Sequence, residues 1–148
     1  MKKITTSLAV VLCSLLTTAT VQAADNKAVI KHRQGVMEAI GGHFTAAYSS
    51  MGGMPAFNGN QVFHAESVAR LAKIAVDVFP AGSGDGKTKA KSDVWDQPED
   101  FKKAMDKFVT AADEFASASK SGDMAAYGAA TKALGGSCKG CHDDFKDK

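Results

Sequence analysis

The feature that most constrains this chain is the pentapeptide Cys138-Lys139-Gly140-Cys141-His142 near its C-terminus. Two cysteines three apart occupy one helical turn, and a histidine follows directly. That spacing lets both vinyl groups of a haem be joined as thioethers while the imidazole reaches the iron. A Cys-x-x-Cys pair alone would also suit a redox dithiol or half of a zinc site. A tetrahedral zinc site needs two further ligands at a suitable spacing, and the one other cysteine, Cys13, lies in a segment expected to be removed. A thioredoxin-like dithiol should follow a strand in a βαβ pattern, and no such pattern occurs. The expectation is one covalently attached haem c, with Cys138 and Cys141 as attachment points and His142 as the proximal iron ligand.

The N-terminus fits that chemistry. Lys2 and Lys3 precede an apolar run from Leu8 to Leu16, and polar residues then lead into Val21-Gln22-Ala23. This is the pattern of an export signal cleaved after Ala23, and the run is too short to span a bilayer as a permanent helix. Cys13 would leave with the signal; bulky Leu12 before it argues against a lipid anchor. Residues 1–23 therefore read as a signal peptide and 24–148 as one haem domain delivered to the periplasm, where c-type haem is attached. Removing Lys2 and Lys3 reduces eighteen basic residues to sixteen, against sixteen acidic ones. A balanced chain without a basic stripe gives no footing for nucleic acid, and nothing calls for stable membrane insertion.

Along the remaining chain the apolar residues keep a helical rhythm. The first helix, from Asn26 to about Met54, carries Ile30, Met37, Ile40, Phe44, Ala47 and Met51 on one stripe. Arg33 occupies the slot between Ile30 and Met37. A guanidinium there needs an anionic partner or solvent access, so it either snorkels at the helix end or meets a haem propionate. Gly41-Gly42 suggests close packing against a neighbour. A second helix runs from about Asn60 to Val78 with Val62, Ala65, Ala69, Ala72, Val76 and Phe79 in phase. Pro80 stops it. Residues 81–93 read as a solvated, mobile loop whose Lys87, Lys89 and Lys91 form a charged surface, closed by Trp95 as an apolar plug. Asp96-Gln97-Pro98-Glu99 starts a third helix carrying Phe101, Met105, Phe108, Ala112, Phe115 and Ser119. Ser121-Gly122-Asp123 breaks it. The fourth helix places Met124, Tyr127, Ala130, Leu134, Cys138, Cys141 and Phe145 on its inward stripe. The fold expected is all-α, an antiparallel up-down four-helix bundle with the haem motif facing its core.

Several of these residues together resemble the cytochrome c prime family, which includes the low-spin cytochromes c-556. They are Lys31-His32-Arg33-Gln34, Gly42-His43-Phe44, Trp95 with Phe101, and Gly136-Ser137 leading into Cys138-Lys139-Gly140-Cys141-His142. The resemblance implies that Arg33 and Gln34 meet a haem propionate and that Met37 overhangs the iron opposite His142. It also implies a homodimer through the first two helices, for which Ala65, Ala69, Ala72, Gly41 and Gly42 offer small-residue surfaces. Lys146 stands where the family commonly has Arg, keeping a cation but losing the planar guanidinium.

Met37 decides between two functions. As an apolar lid over an empty sixth position it leaves a five-coordinate haem that binds nitric oxide and carbon monoxide. As a thioether ligand it gives a low-spin electron carrier working with redox partner proteins. The gas-binding reading is preferred, because the family's better populated pattern and an otherwise apolar pocket favour it. His32, His43 and His64 read as surface or edge histidines rather than sixth ligands. No acid or histidine lies on the Met37 stripe to serve peroxide chemistry, so no enzymatic activity is expected.

Overall fold

In the computed structural model, backbone is described for residues 15–49, 51 and 59–148, and side chains for 26–49, 51 and 59–148. The elements are α1 (Leu15–Ser49), α2 (Gln61–Ala75), the one-turn α3 (Asp93–Asp96), α4 (Pro98–Lys120) and α5 (Met124–Phe145). The start of the signal segment, residues 1–14, lies outside the described residues, as does Met54, near which the first helix is expected to end. No helix among the described residues is long and apolar enough to cross a membrane.

Helix boundaries follow local chemistry. Pro98 takes the first position of α4 with Glu99 and Asp100 in its first turn, where a missing N–H costs nothing and negative charge meets the helix dipole. Ser121-Gly122 ends α4, and Gly122 adopts φ +74°. Asp123 then caps α5, its carboxylate accepting from the Ala125 and Ala126 amides at 2.8 and 3.1 Å. The second helix ends at Ala75 rather than Val78, and Val76 is exposed while Val78 turns inward.

Neighbouring helices run antiparallel around a ring. α1 and α2 meet from Arg33–Val78 to His43–His64. α2 and α4 are bridged on the surface by Lys73–Asp113 at 3.0 Å and Glu66–Lys120 at 2.7 Å. α4 and α5 stack Phe115 on Tyr127 and set Phe101 edge-on to Phe145. Tyr127 closes the ring by donating its buried hydroxyl to the Ala47 carbonyl of α1 at 3.2 Å, and burial pushes its phenol up to about 12. This is the expected four-helix bundle, with α3 as an added turn.

The core is made of alanines and large aromatics in alternation. Met105, Phe108, Ala112, Phe115 and Ser119 are buried on the inner face of α4, as the sequence rhythm predicts. On α2 the inner face is Ala65, Val68, Ala69, Ala72 and Ala75, so Val68 and Ala75 join the expected alanines and Val76 leaves the stripe. Small residues on one helix let the facing rings reach the axis, which is how a bundle keeps packing density without overfilling. Two expectations need correction. Gly41 and Gly42 are exposed, and a Cβ at either meets nothing within 4 Å, so no neighbour in the monomer requires them. Ala65, Ala69 and Ala72 are buried inside the monomer and are unavailable as a dimer surface.

The largest correction concerns residues 81–93. Their sequence reads as mobile, yet the segment is tied down along its length. Gly84 lies where a Cβ would sit 2.9 Å from the Trp95 ring, and Gly86, at φ +138°, where one would sit 2.9 Å from Ile30 Cδ1. Only glycine permits that approach. The Trp95 indole donates to the carbonyls of Phe79 and Pro80, so it plugs the bundle end as expected and also fixes the start of the loop.

Candidate haem-binding cleft

Two side-chain contacts set the register between α1 and α5. Gly128 faces the Met51 methyl, with a Cβ there 3.5 Å away, and Gly135 faces the Phe44 ring at 3.7 Å on the same measure. Each step moves seven residues back along α1 and seven forward along α5. Seven residues are nearly two helical turns, about 10.5 Å of rise, so one further step of the same register would bring Met37 level with His142. Glycines make room for α1 side chains at the two contacts seen.

Around that rung the residues suit a large planar apolar group anchored at one edge. Cys138 and Cys141 are half-buried and pack against the core cluster, as do Met37, Phe44, Phe79 and Phe101. Neither thiol resembles a redox dithiol. Burial holds Cys138 above its ordinary range, and burial, the neighbouring Cys138 and Asp144 push Cys141 up to about 11, whereas reactive dithiols are depressed. His142 is exposed at the cleft's outer edge. Burial of part of the ring, then the charge of Lys146, lower its pKa against an opposing pull from Asp143. The neutral imidazole that iron requires is therefore the favoured form. The donor set and its apolar backing fit haem, with Cys138, Cys141 and His142 as the residues that would hold it.

Met37 is half-buried, whereas its neighbour Val36 is buried. The apolar stripe of α1 is thus centred between them, and the sequence rhythm had no sign for Val36.

Arg33 is 3% exposed, which removes the snorkelling alternative. Its guanidinium donates to the Val78 carbonyl (3.3 Å), Ser83 Oγ (2.9 Å), the Ser83 carbonyl (2.9 Å) and Thr88 Oγ1 (3.1 Å). Its carbon Cζ also lies 5.0 Å from the Phe79 ring centroid and 5.7 Å from that of Trp95, a cation–π cage. Burial lowers its pKa, far from enough to neutralise a guanidinium at physiological pH. Gln34 donates to the Lys87 carbonyl at 3.0 Å. The two residues expected at a propionate thus both grip the loop that follows α2. The same loop grips α5: Lys91 Nζ donates to the carbonyls of Asp143 and Asp144 at 2.9 and 3.0 Å, capping the helix with positive charge. The Lys91 amide donates to the Phe145 carbonyl, and Asp147 donates to Lys89. Lys91 is therefore a helix cap rather than part of a freely solvated surface.

The comparisons with known proteins give the family. The family model described as Cytochrome C' matches residues 28–146. The chain is 39% identical over 136 residues to cytochrome c' of Rhodospirillum rubrum, covering 91% of this chain and 92% of that one. It is 32% identical over 120 residues to cytochrome c-556 of Agrobacterium tumefaciens strain B2A, covering 80% and 97%. Among solved structures it resembles cytochrome c prime from Shewanella frigidimarina, with TM-score 0.79, 33% identity and coverage of 83% and 97%. It also resembles a ferrous variant of cytochrome c prime from Alcaligenes xylosoxidans with bound NO, with TM-score 0.76, 25% identity and coverage of 83% and 96%.

Proposed function

The chain belongs to the cytochrome c' family, and from that premise we propose that it is a periplasmic protein carrying one covalent haem c, five-coordinate and open to nitric oxide and carbon monoxide. It acts by binding rather than by catalysing a reaction. Haem, when bound, would supply an iron centre able to take a small neutral diatomic. Cys138 and Cys141 would hold it by thioethers, and His142 would give its neutral imidazole to the iron. The observation that carries the reading is the α1–α5 register seen at Gly128–Met51 and Gly135–Phe44. Continued one step it would bring Met37 level with His142, and the Met37 side chain packs against the hydrophobic core cluster. A thioether held in apolar packing is a lid. Charged or strongly hydrated ligands pay a desolvation penalty beneath it that a neutral diatomic avoids. The relative with bound NO supports the same ligand class.

The test is kinetic and spectroscopic. Unmodified ferric protein should show a high-spin or mixed-spin spectrum. Met37→Ala should speed carbon monoxide binding to the ferrous protein about tenfold, the effect of removing about 1.4 kcal/mol of steric barrier, and Met37→Phe should slow it. The register itself favours a second reading, an electron carrier in which the Met37 sulfur bonds iron, and the cytochrome c-556 relative belongs to that side. A low-spin spectrum of the unmodified protein that Met37→Ala converts to high spin would establish the carrier.

Periplasmic placement rests on the sequence of residues 1–23, where α1 continues through the expected cleavage position after Ala23. A homodimer remains part of the proposal, on a different surface from the alanines. Tyr48 and Phe63 are 60% and 62% exposed on α1 and α2, and an isologous pairing would bury these rings. Ultracentrifugation at micromolar concentration should show a dimer, and Phe63→Lys should shift it to monomer. A monomer before substitution would end this reading.

A further inference from the structure

α1 and α2 bring two histidines together at a place the haem motif does not use. His43 Nδ1 and His64 Nδ1 stand 2.9 Å apart across the helix–helix interface, with ring centroids 5.1 Å apart and planes inclined by 49°. Both imidazoles are half-buried. Phe63 presents its ring edge-on to each of them, at 5.8 Å from His43 and 5.3 Å from His64. Each histidine sits on its own helix, and the antiparallel packing of the two helices fixes the distance between them before any ligand arrives. Two facing imidazole nitrogens at this separation share one proton, or they share a metal ion in its place.

We propose that His43 and His64 form a two-imidazole binding site for a borderline divalent transition metal, Cu(II) foremost, with water completing the coordination. Bonds of about 2.0–2.1 Å from one ion place two nitrogens about 2.9 Å apart at a right angle and about 3.3 Å apart at a tetrahedral one. Chelation therefore asks for ring rotations of a few tenths of an ångström and no movement of the helices. Neutral nitrogen donors without carboxylates exclude calcium and magnesium, which take oxygen ligands. Imidazole suits copper, nickel and zinc, and among divalent ions copper binds a given nitrogen site most tightly. No cluster of three or more His, Cys, Asp or Glu able to hold a metal occurs among the described residues, so water supplies the remaining positions. The site does not depend on whether the haem iron is five- or six-coordinate.

Cu(II) alone is the probe, titrated into the ferric holoprotein against a competing chelator. One ion per chain is expected, with nitrogen coordination in its electron paramagnetic resonance and no change in the haem absorption bands. His43→Gln and His64→Gln should each weaken binding roughly tenfold or more, because each removes one of two protein ligands. The double variant should be little weaker than either. His32→Gln, on the same helix, should bind as the unmodified protein does. Cu(II) should also raise the melting temperature of the unmodified protein and of His32→Gln but not of the two site variants, a readout that holds even if a variant starts less stable. Equal affinity in unmodified protein and double variant, or loss of affinity on His32→Gln, would overturn the site.

Discussion

Exported together with a haem-ligation system, the chain in which Cys138 and Cys141 are both replaced by serine is expected to carry no haem that survives denaturation. Each single replacement is expected to keep one bond. The two thiols stand on one turn of α5, half-buried against the core, so a planar apolar group entering the cleft meets both from the same side. Serine keeps the shape and loses the sulfur, which isolates the covalent step from packing. Mass spectrometry of the denatured protein reads the result directly. The haem-free chain offers a second measurement. Cys141 is pushed up to about 11, so below that pH the protonated thiol predominates and alkylation is slow. Its rate should climb with pH until about 11 and then level off. A rate that levels off near neutrality would mean a thiolate-stabilising site and return the pair to redox chemistry. Covalent haem on the double variant would remove the basis of the cleft.

Arg33→Leu is expected to cost about 3 kcal/mol of folding free energy, read by denaturant unfolding of the holoprotein. Leucine refills much of the volume but leaves the Val78 and Ser83 carbonyls and the Ser83 and Thr88 hydroxyls without their donor. Each buried polar group stranded in this way costs about 1–3 kcal/mol. Water reaching the loosened loop recovers part of that, and loss of the cation–π cage adds to it. Arg33→Lys should fall in between, keeping the charge while losing the planar fork that serves several acceptors at once. The haem reduction potential separates the two roles open to this side chain. A shift beyond that of a remote control variant places the guanidinium at a propionate, whereas an unchanged potential with lowered stability leaves it as the anchor of the loop alone. A loss below about 0.5 kcal/mol, the range of ordinary surface substitutions, would contradict the buried geometry.

The bundle was legible where apolar residues recur in helical phase with punctuation at both ends. In α4 every residue of the seam from Met105 to Ser119 is buried, because Pro98 and Ser121-Gly122 leave no choice of phase. α1 was harder. Arg33 interrupts its stripe, and a rhythm anchored on Met37 passes over Val36, although residues 100° apart can both border one cleft. The haem motif was legible because its chemistry is local to five residues. What sequence could not reveal lies in partners far apart along the chain. Nothing in Ala81-Gly82-Ser83-Gly84 announces that Arg33, some fifty residues earlier, will hold it. The facing of His43 and His64 likewise depends on how far α2 slides along α1. The register that would bring Met37 level with His142 also rests on seeing Gly128 and Gly135 against Met51 and Phe44.

The loop that joins Arg33 to the end of α5 has a consequence for the proposed export, in which the chain would cross a membrane unfolded from its N-terminus. The hydrogen bonds of Arg33 and Gln34 wait for residues 78–88 to emerge. Residues 89–91 wait in turn for 143–147. Both thiols and the proximal imidazole leave the translocation channel within a few residues of that final clasp. The far wall of the cleft and the fastening that draws it to the near wall are delivered together, at the end of the journey. Until then α1, α2 and α4 can assemble as domains generally do, from the leading end backward, with the haem side still open.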